Sequence, residues 1–483
     1  MQILFAASEC APFAKAGGLG DVVGALPKAL HALGHDVRIV LPRYQFISTW
    51  DKQRHLKPLG VPFGSDELWC GVLEGRLPDS EVPIYFIEHD ALFHGTKPYV
   101  GYGGSVESMA RFALLSRASL QICRYLNWKP DIMHVHDWPT AWIPVMLNTV
   151  ENRPPFESTA SVMSIHNMAY QPRFPKEGLG LLHLPASVFT SDGLEDYGMA
   201  NPFKGGLYHS TMLSTVSPTY AKEIRTPQFG AGLEAVMNFR GADLVGILNG
   251  IDEKVWDPAT DPHIDHNYSL DDIDGKAANK AALQAELGLH VRPDIPLIGM
   301  VSRLNDQKGI DVLIGALDAI LALGTQVVVL GSGDGAMENE LRHRSHYGDG
   351  RFIAWIGYNE RLAHRIEASA DMFLMPSRFE PCGLNQLYSQ RYGTLPIVRS
   401  TGGLADTVEQ CVATTSEGTG FKFNDLYEAA LYGTVKWAVG IYRDQPALFR
   451  TMQARAMQKR MGWDTAARKY VQMYEWALQR KRG

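Results

Sequence analysis

The chain has no paired-cysteine pattern. Its five cysteines, Cys10, Cys70, Cys123, Cys382 and Cys411, are odd in number and scattered, and none stands in a C-x-x-C spacing. That argues against a disulfide scaffold or a structural zinc site and points to a reduced cytoplasm. No stretch of about 18 uncharged apolar residues occurs, so no membrane span is expected. The start, MQILFAASECAPFAKAGG, lacks a basic leader and a long apolar run; it reads as a first strand and a loop rather than a signal peptide. Positive charge is not in excess either. A formal net charge of -6 argues against a general nucleic-acid binder, because phosphate backbones demand a basic surface. Sustained heptads, low-complexity tracts and internal repeats are missing too, which removes coiled coils and solenoids.

What the chain does have is material for large cores. Its 483 residues suffice for about two to four domains, and 45% of them are hydrophobic against 20% charged, the balance of a globular enzyme. A neutral polysaccharide makes no demand on net charge, so local patches must decide the function. Short apolar, β-branched runs recur at residues 3–7, 37–41, 84–88, 132–136 and 162–166, and again at 297–302, 327–330, 352–357, 372–376 and 395–399. They are apolar on both faces, as parallel strands covered by helices should be, and stretches such as 309–324 suit the crossover helices. The pattern predicts an α/β chain of two doubly wound, Rossmann-like domains facing across a deep cleft. The expected divisions are 1–245, 246–460 and a closing helix in 461–483. The polar segment from Ala259 to Lys280 reads as a surface excursion between domains. In the closing helix Trp463, Ala467, Tyr470, Met473 and Trp476 fall on one face.

Candidate functional residues cluster where runs end. Lys15, Gly17, Gly18 and Asp21 follow the first strand and open a helix, where glycines admit a ligand and the helix start offers N–H groups to an anion; a tight turn with a surface lysine is the alternative. Arg303 and Lys308 share the loop after residue 302, a pairing that suits a pyrophosphate and would stabilise charge growing on a diphosphate leaving group, unless both are simply solvated. Glu380, in the run from Pro376 to Leu384, follows another strand and suits sugar hydroxyls or a cation-like anomeric carbon; a helix-capping glutamate would look the same. Thr401 and Gly402 repeat this design after the next strand. Cys382 has no obvious His–Asn pair and reads as a small thiol, not a nucleophile. His134, His136 and His166 stand at strand ends without metal-ligand spacing, and neighbouring Trp138 and Tyr170 suit stacking on sugars or core packing. The Gly331–Ala336 turn approaches a dinucleotide fingerprint but lacks the acidic residue at the end of the next strand, which leaves an NAD-dependent oxidoreductase as a remote alternative. Asp272 and Asp274 make a D-x-D in the polar segment, far from any strand end, and are discounted as a metal site.

Taken in order, KAGGLGDV, HVHDW, SIHNMAYQ, LNGID, SRLNDQKGID, SRFEPCGLNQLY and TGGLADTV span essentially the whole chain. Together they resemble the bacterial glycogen synthase and plant starch synthase family, the retaining glycosyltransferases of family 5 with the GT-B fold. The resemblance implies a cytoplasmic hexosyltransferase with ADP-glucose as substrate, a glycogen or linear α-1,4-glucan acceptor, no metal and no cofactor. It implies that Lys15, Gly17 and Gly18 touch the diphosphate and glucose, with Asp21 supporting their loop. It puts His166 against the transferred glucose, Asp137 near glucose and acceptor, and Arg303 and Lys308 on the departing ADP. Glu380, Cys382, Gly383 and Leu384 would hold glucose hydroxyls and the distal phosphate, with Asn249, Thr401 and Gly402 in the binding set and Tyr358 near adenine. A relative using UDP-glucose or another acceptor is the alternative within the class. Three departures stand out: Ala16 where Thr or Val is usual, Pro172 where Gly is usual, and Tyr388 eight residues after Glu380, at the second position of the E-x7-E pattern of related families.

Overall fold

Valine, isoleucine and leucine dominate the runs that become strands, and the alternation of the pleat sends their side chains to two covered faces. In the second half, Ile298, Met300, Val327 and Val329 enter one core while Leu297, Val328 and Leu330 enter another on the opposite face. The computed structural model describes residues 1–48, 53–95, 98, 99 and 105–483. These form two compact units, Met1–Gly250 with Trp463–Gly483, and Ile251–Gly462.

The first unit is built on a ten-stranded sheet. Its parallel part runs Leu244–Gly246, Met212–Thr215, Ala160–Ile165, Ile132–His136, Gln2–Ala6, Asp36–Pro42 and Pro83–Glu88, and Asp66–Arg76 adds antiparallel beside the last. The second unit has six parallel strands in the order Phe352–Ile356, Gln326–Gly333, Leu297–Leu304, Met372–Met375, Leu395–Arg399 and Phe421–Phe423. In each sheet the chain steps outward from its first strand in one direction, then returns and steps outward in the other. Each therefore has a topological switch point, beside Gln2–Ala6 in one and Leu297–Leu304 in the other.

The units divide a little later than residues 245 and 460. Ile247 is buried in the first core and its amide bonds to Thr215 O, which carries the first unit on to Gly250. Ile251 in turn donates to Met461 O, which ties both ends of the second unit together.

Two expectations fail here. The polar segment is no solvated excursion: Asp261 is buried, accepting from the Tyr392 hydroxyl at 2.6 Å and lying 2.8 Å from His364 Nδ1. Tyr268 is buried beside it, and the helix Asp274–Glu286 begins within the same stretch. Burying a charge is tolerable because hydrogen bonds replace its lost hydration, which composition alone does not reveal. In the closing helix, Trp463–Arg482, the buried face holds Tyr474 and Ala477, whereas Trp476 is 44% exposed.

Candidate functional site

The switch points decide which loops converge. Past the carboxyl end of Gln2–Ala6, Gly17 caps the helix Gly18–Ala32, and Lys15 Nζ lies 2.7 Å from Asp21 Oδ1. The loop is held from below by a residue the sequence reading passed over. Glu9 Oε2 accepts from the amides of Ala16 at 2.6 Å and Gly17 at 2.9 Å, while Oε1 accepts from the Tyr99 hydroxyl at 2.6 Å. Burial raises the Glu9 pKa and these bonds oppose the rise. A carboxylate between the first strand and a glycine loop was the available signal.

On the other side of this switch point, Asp137 opens a short helix with a left-handed φ of 50°. Its Oδ1 accepts from the His166 amide at 2.7 Å, so it ties together the ends of Ile132–His136 and Ala160–Ile165. Burial pushes Asp137 up to about 8, against the pull of its backbone hydrogen bonds. Burial pushes His166 down to about 3, and its Nε2 lies 3.0 Å from His136 Nδ1. Trp138 is buried edge-on to Phe112 at 4.8 Å, so it is core and not a sugar platform, while Tyr170 is exposed. Asn249 is buried near the end of this unit.

In the second unit the same logic applies to Leu297–Leu304 and Met372–Met375. Arg303 donates to Gln307 Oε1 at 3.2 Å, and Lys308 closes a single turn capped by Asn305. Gly309 follows at φ 68°, where a Cβ would fall 2.0 Å from Pro376 O; only glycine lets the two loops press together. The result is an ion pair between Lys308 Nζ and Glu380 Oε2 at 2.6 Å, with the Ser377 hydroxyl donating to the same oxygen at 2.9 Å. Buried Cys382, with Gly383 and Leu384, leads into the helix Asn385–Arg391. Thr401 caps the helix Gly402–Thr407, and Gly402, at φ 45°, would place a Cβ 2.0 Å from Glu380 O. Glu380 is thus gripped at its side chain by one loop and at its carbonyl by another, where Gly403 N donates at 3.0 Å. Tyr358 stands apart, exposed beyond Phe352–Ile356 at the sheet edge.

The glycine turn after Gln326–Gly333 is filled by its own chain. Asp334 accepts from the amides of Ala336 and Met337, and Glu338 from that of Gly333. Carboxylates thus take up donors that a dinucleotide pyrophosphate would need. Among the described residues no group of three or more His, Cys, Asp or Glu could hold a metal ion, and no helix is long and apolar enough to cross a membrane.

Comparison with known proteins agrees with this geometry. The family model for the starch synthase catalytic domain matches residues 2–239, and that for glycosyl transferases group 1 matches residues 289–430. With two Rossmann-like sheets, this is a glycosyltransferase of the GT-B fold. Glycogen synthase 1 of Geobacter metallireducens is 47% identical over 100% of this chain and 97% of its own length, and the glycogen synthase of Treponema denticola 43% over 100% and 99%. The catalytic domain of starch synthase IV from Arabidopsis thaliana, bound to ADP and acarbose, superposes with a TM-score of 0.91 at 33% identity over 99% of both chains. The chain belongs to the bacterial glycogen synthase and starch synthase family.

Proposed function

We propose that this enzyme transfers α-D-glucose from ADP-glucose to the non-reducing 4-hydroxyl end of an α-1,4-glucan, with retention of configuration, and so elongates glycogen in the cytoplasm. The observation that carries the reading is the Lys308–Glu380 pair at the second unit's switch point, with Arg303 in the same loop set. Arg303 and Lys308 supply positive charge for the departing ADP, which gains charge in the transition state and is therefore favoured there over the ground state. Glu380 directs its remaining acceptor capacity to glucose hydroxyls, flanked by Cys382, Gly383, Leu384, Thr401 and Gly402. In the first unit, Lys15, Gly17 and Gly18 serve the diphosphate and glucose, and His166 and Asp137 the glucose. Asn249 and Tyr358 complete the set as binding residues.

The carboxylates in these sets make poor nucleophiles. Asp137, raised to about 8, is largely protonated near neutral pH; Asp21 is paired with Lys15, and Glu380 with Lys308. A retaining glycosidase would need one of two close carboxylates free to attack. The arrangement favours a same-face displacement in which the leaving phosphate takes the proton of the incoming 4-hydroxyl. No further cofactor is invoked, and neither nucleic acid nor membrane is a partner. Five buried thiols without a disulfide suit a reducing compartment.

The test is ADP release on mixing the protein with ADP-glucose and glycogen, beside UDP-glucose and beside reactions without acceptor. Release that needs glycogen and prefers ADP-glucose is expected. Equal or greater turnover of UDP-glucose would move the donor assignment, and release without acceptor would make the enzyme a hydrolase.

A further inference from the structure

Strands Ile132–His136 and Ala160–Ile165 pair in parallel, with His136 opposite Ser164. That register gathers three imidazoles at one end of the first unit's sheet. His136 stacks on His134 at 4.4 Å and on Phe5 at 5.5 Å, so its ring plane is fixed by packing. Both ring nitrogens of His134 have partners: Nδ1 meets the Tyr474 hydroxyl at 2.8 Å and Nε2 the Ser164 hydroxyl at 2.7 Å.

His136 differs. Its Nδ1 lies 3.0 Å from His166 Nε2, while its fully buried Nε2 has no hydrogen-bond partner among the described residues. Burial keeps His134, His136 and His166 neutral, so one proton is shared between the two facing nitrogens. Were that proton on His166, His136 would carry its own on Nε2, as a buried N–H with nothing to donate to. With the proton on His136 Nδ1, only a lone pair is left over, and unpaired buried N–H groups are the rarer defect.

We infer that His136 is a positioning residue that donates from Nδ1 to His166 Nε2, fixing His166 as the Nδ1–H tautomer. His166 then faces substrate as a neutral hydrogen-bond donor and not as a base, because its one lone pair is already engaged. The role given to substrate rests on the placing of His166 against the glucose; the tautomer itself does not.

Two measurements separate these layers. In 15N-histidine NMR of the intact protein, with His166 assigned by the loss of its signals in His166→Gln, the expected result is a protonated Nδ1 and an unprotonated Nε2. The reverse pattern overturns the inference whatever the enzyme does. Kinetically, His136→Phe keeps the stacked ring but removes the donor, while His136→Asn places an amide N–H near the position of Nδ1. His136→Phe should lower kcat on the order of tenfold with KM little changed, and His136→Asn should recover most of the loss. Equal losses in both variants would make His136 merely structural. If instead His166→Ala left turnover intact, the placing of His166 would fail while the NMR result still decided the tautomer.

Discussion

Lys308 Nζ lies 2.6 Å from Glu380 Oε2, with the two side chains only 16% and 7% exposed. Residues to which the sequence assigns separate tasks, one for the diphosphate and one for the sugar, form a single ion pair. Removing one partner strands the other charge in a poorly hydrated place, where the penalty exceeds the worth of the pair itself. Lys308→Ala and Glu380→Ala should therefore each lower kcat/KM by at least ~10²-fold, while the double variant falls hardly further. ADP-release kinetics on the four proteins complete a double-mutant cycle. Additive losses would show that the two groups act independently.

Asp137 offers a test by pH. Its carboxyl is raised from 3.8 to about 8 by burial, so the folded state holds a proton that the unfolded state releases. The stability from this group is thus fully present below pH 3.8 and is lost progressively as pH rises towards 8. Asn in its place cannot ionise, still accepts the His166 amide through Oδ1, and tolerates the left-handed φ. Asp137→Asn should therefore gain in Tm over the unmodified protein as pH goes from 5 to 8, while losing activity. A Tm difference that stays flat across that range would mean the buried carboxyl is ionised throughout.

The parallel sheets were readable because residues such as Ile3, Val37, Val135 and Ile298 are apolar on both faces, a pattern that strands buried between helices impose. The strand-end residues were readable for the same reason: wherever a run stopped, a polar residue at its end faced a loop. What escaped were relationships between distant positions. Glu9 supports the glycine loop only because the chain doubles back after Ala6, and Asp261 is buried only because His364 and Tyr392 come to it across about a hundred residues of sequence. Trp138 reads equally well as platform or core until Phe112 is seen against it. The closing helix was mis-phased because Trp476 and Tyr474 are both large aromatics, and only packing shows which one faces the core.

Glu9 leads to a graded prediction. It accepts from two amides of the Lys15–Gly18 loop and from Tyr99, so its carboxylate shapes the loop without belonging to it. Glu9→Gln keeps one acceptor oxygen and should weaken donor binding mildly. Glu9→Ala removes both and should raise KM for ADP-glucose about tenfold, the equivalent of roughly 1.4 kcal/mol. Steady-state kinetics at fixed glycogen measures this directly. An unchanged KM in Glu9→Ala would show that the loop holds its shape without the carboxylate.

Tyr474 and Trp476 lie two residues apart on the same helix and differ in everything that governs stability. Tyr474 is fully buried, and its hydroxyl meets His134 Nδ1 at 2.8 Å. Tyr474→Phe leaves the ring in place but strands that nitrogen in the core, a cost of about 1–2 kcal/mol. Trp476 is 44% exposed, and a substitution at such a position is worth within ~0.5 kcal/mol either way. Deleting one oxygen atom at Tyr474 should therefore lower the melting temperature of the first unit more than deleting the whole indole in Trp476→Ala. Differential scanning calorimetry of the two variants gives the comparison. If Trp476→Ala proved the more destabilising, the helix would be packed on the face that the hydrophobic spacing first suggested, and the hydroxyl–imidazole contact would contribute nothing to folding.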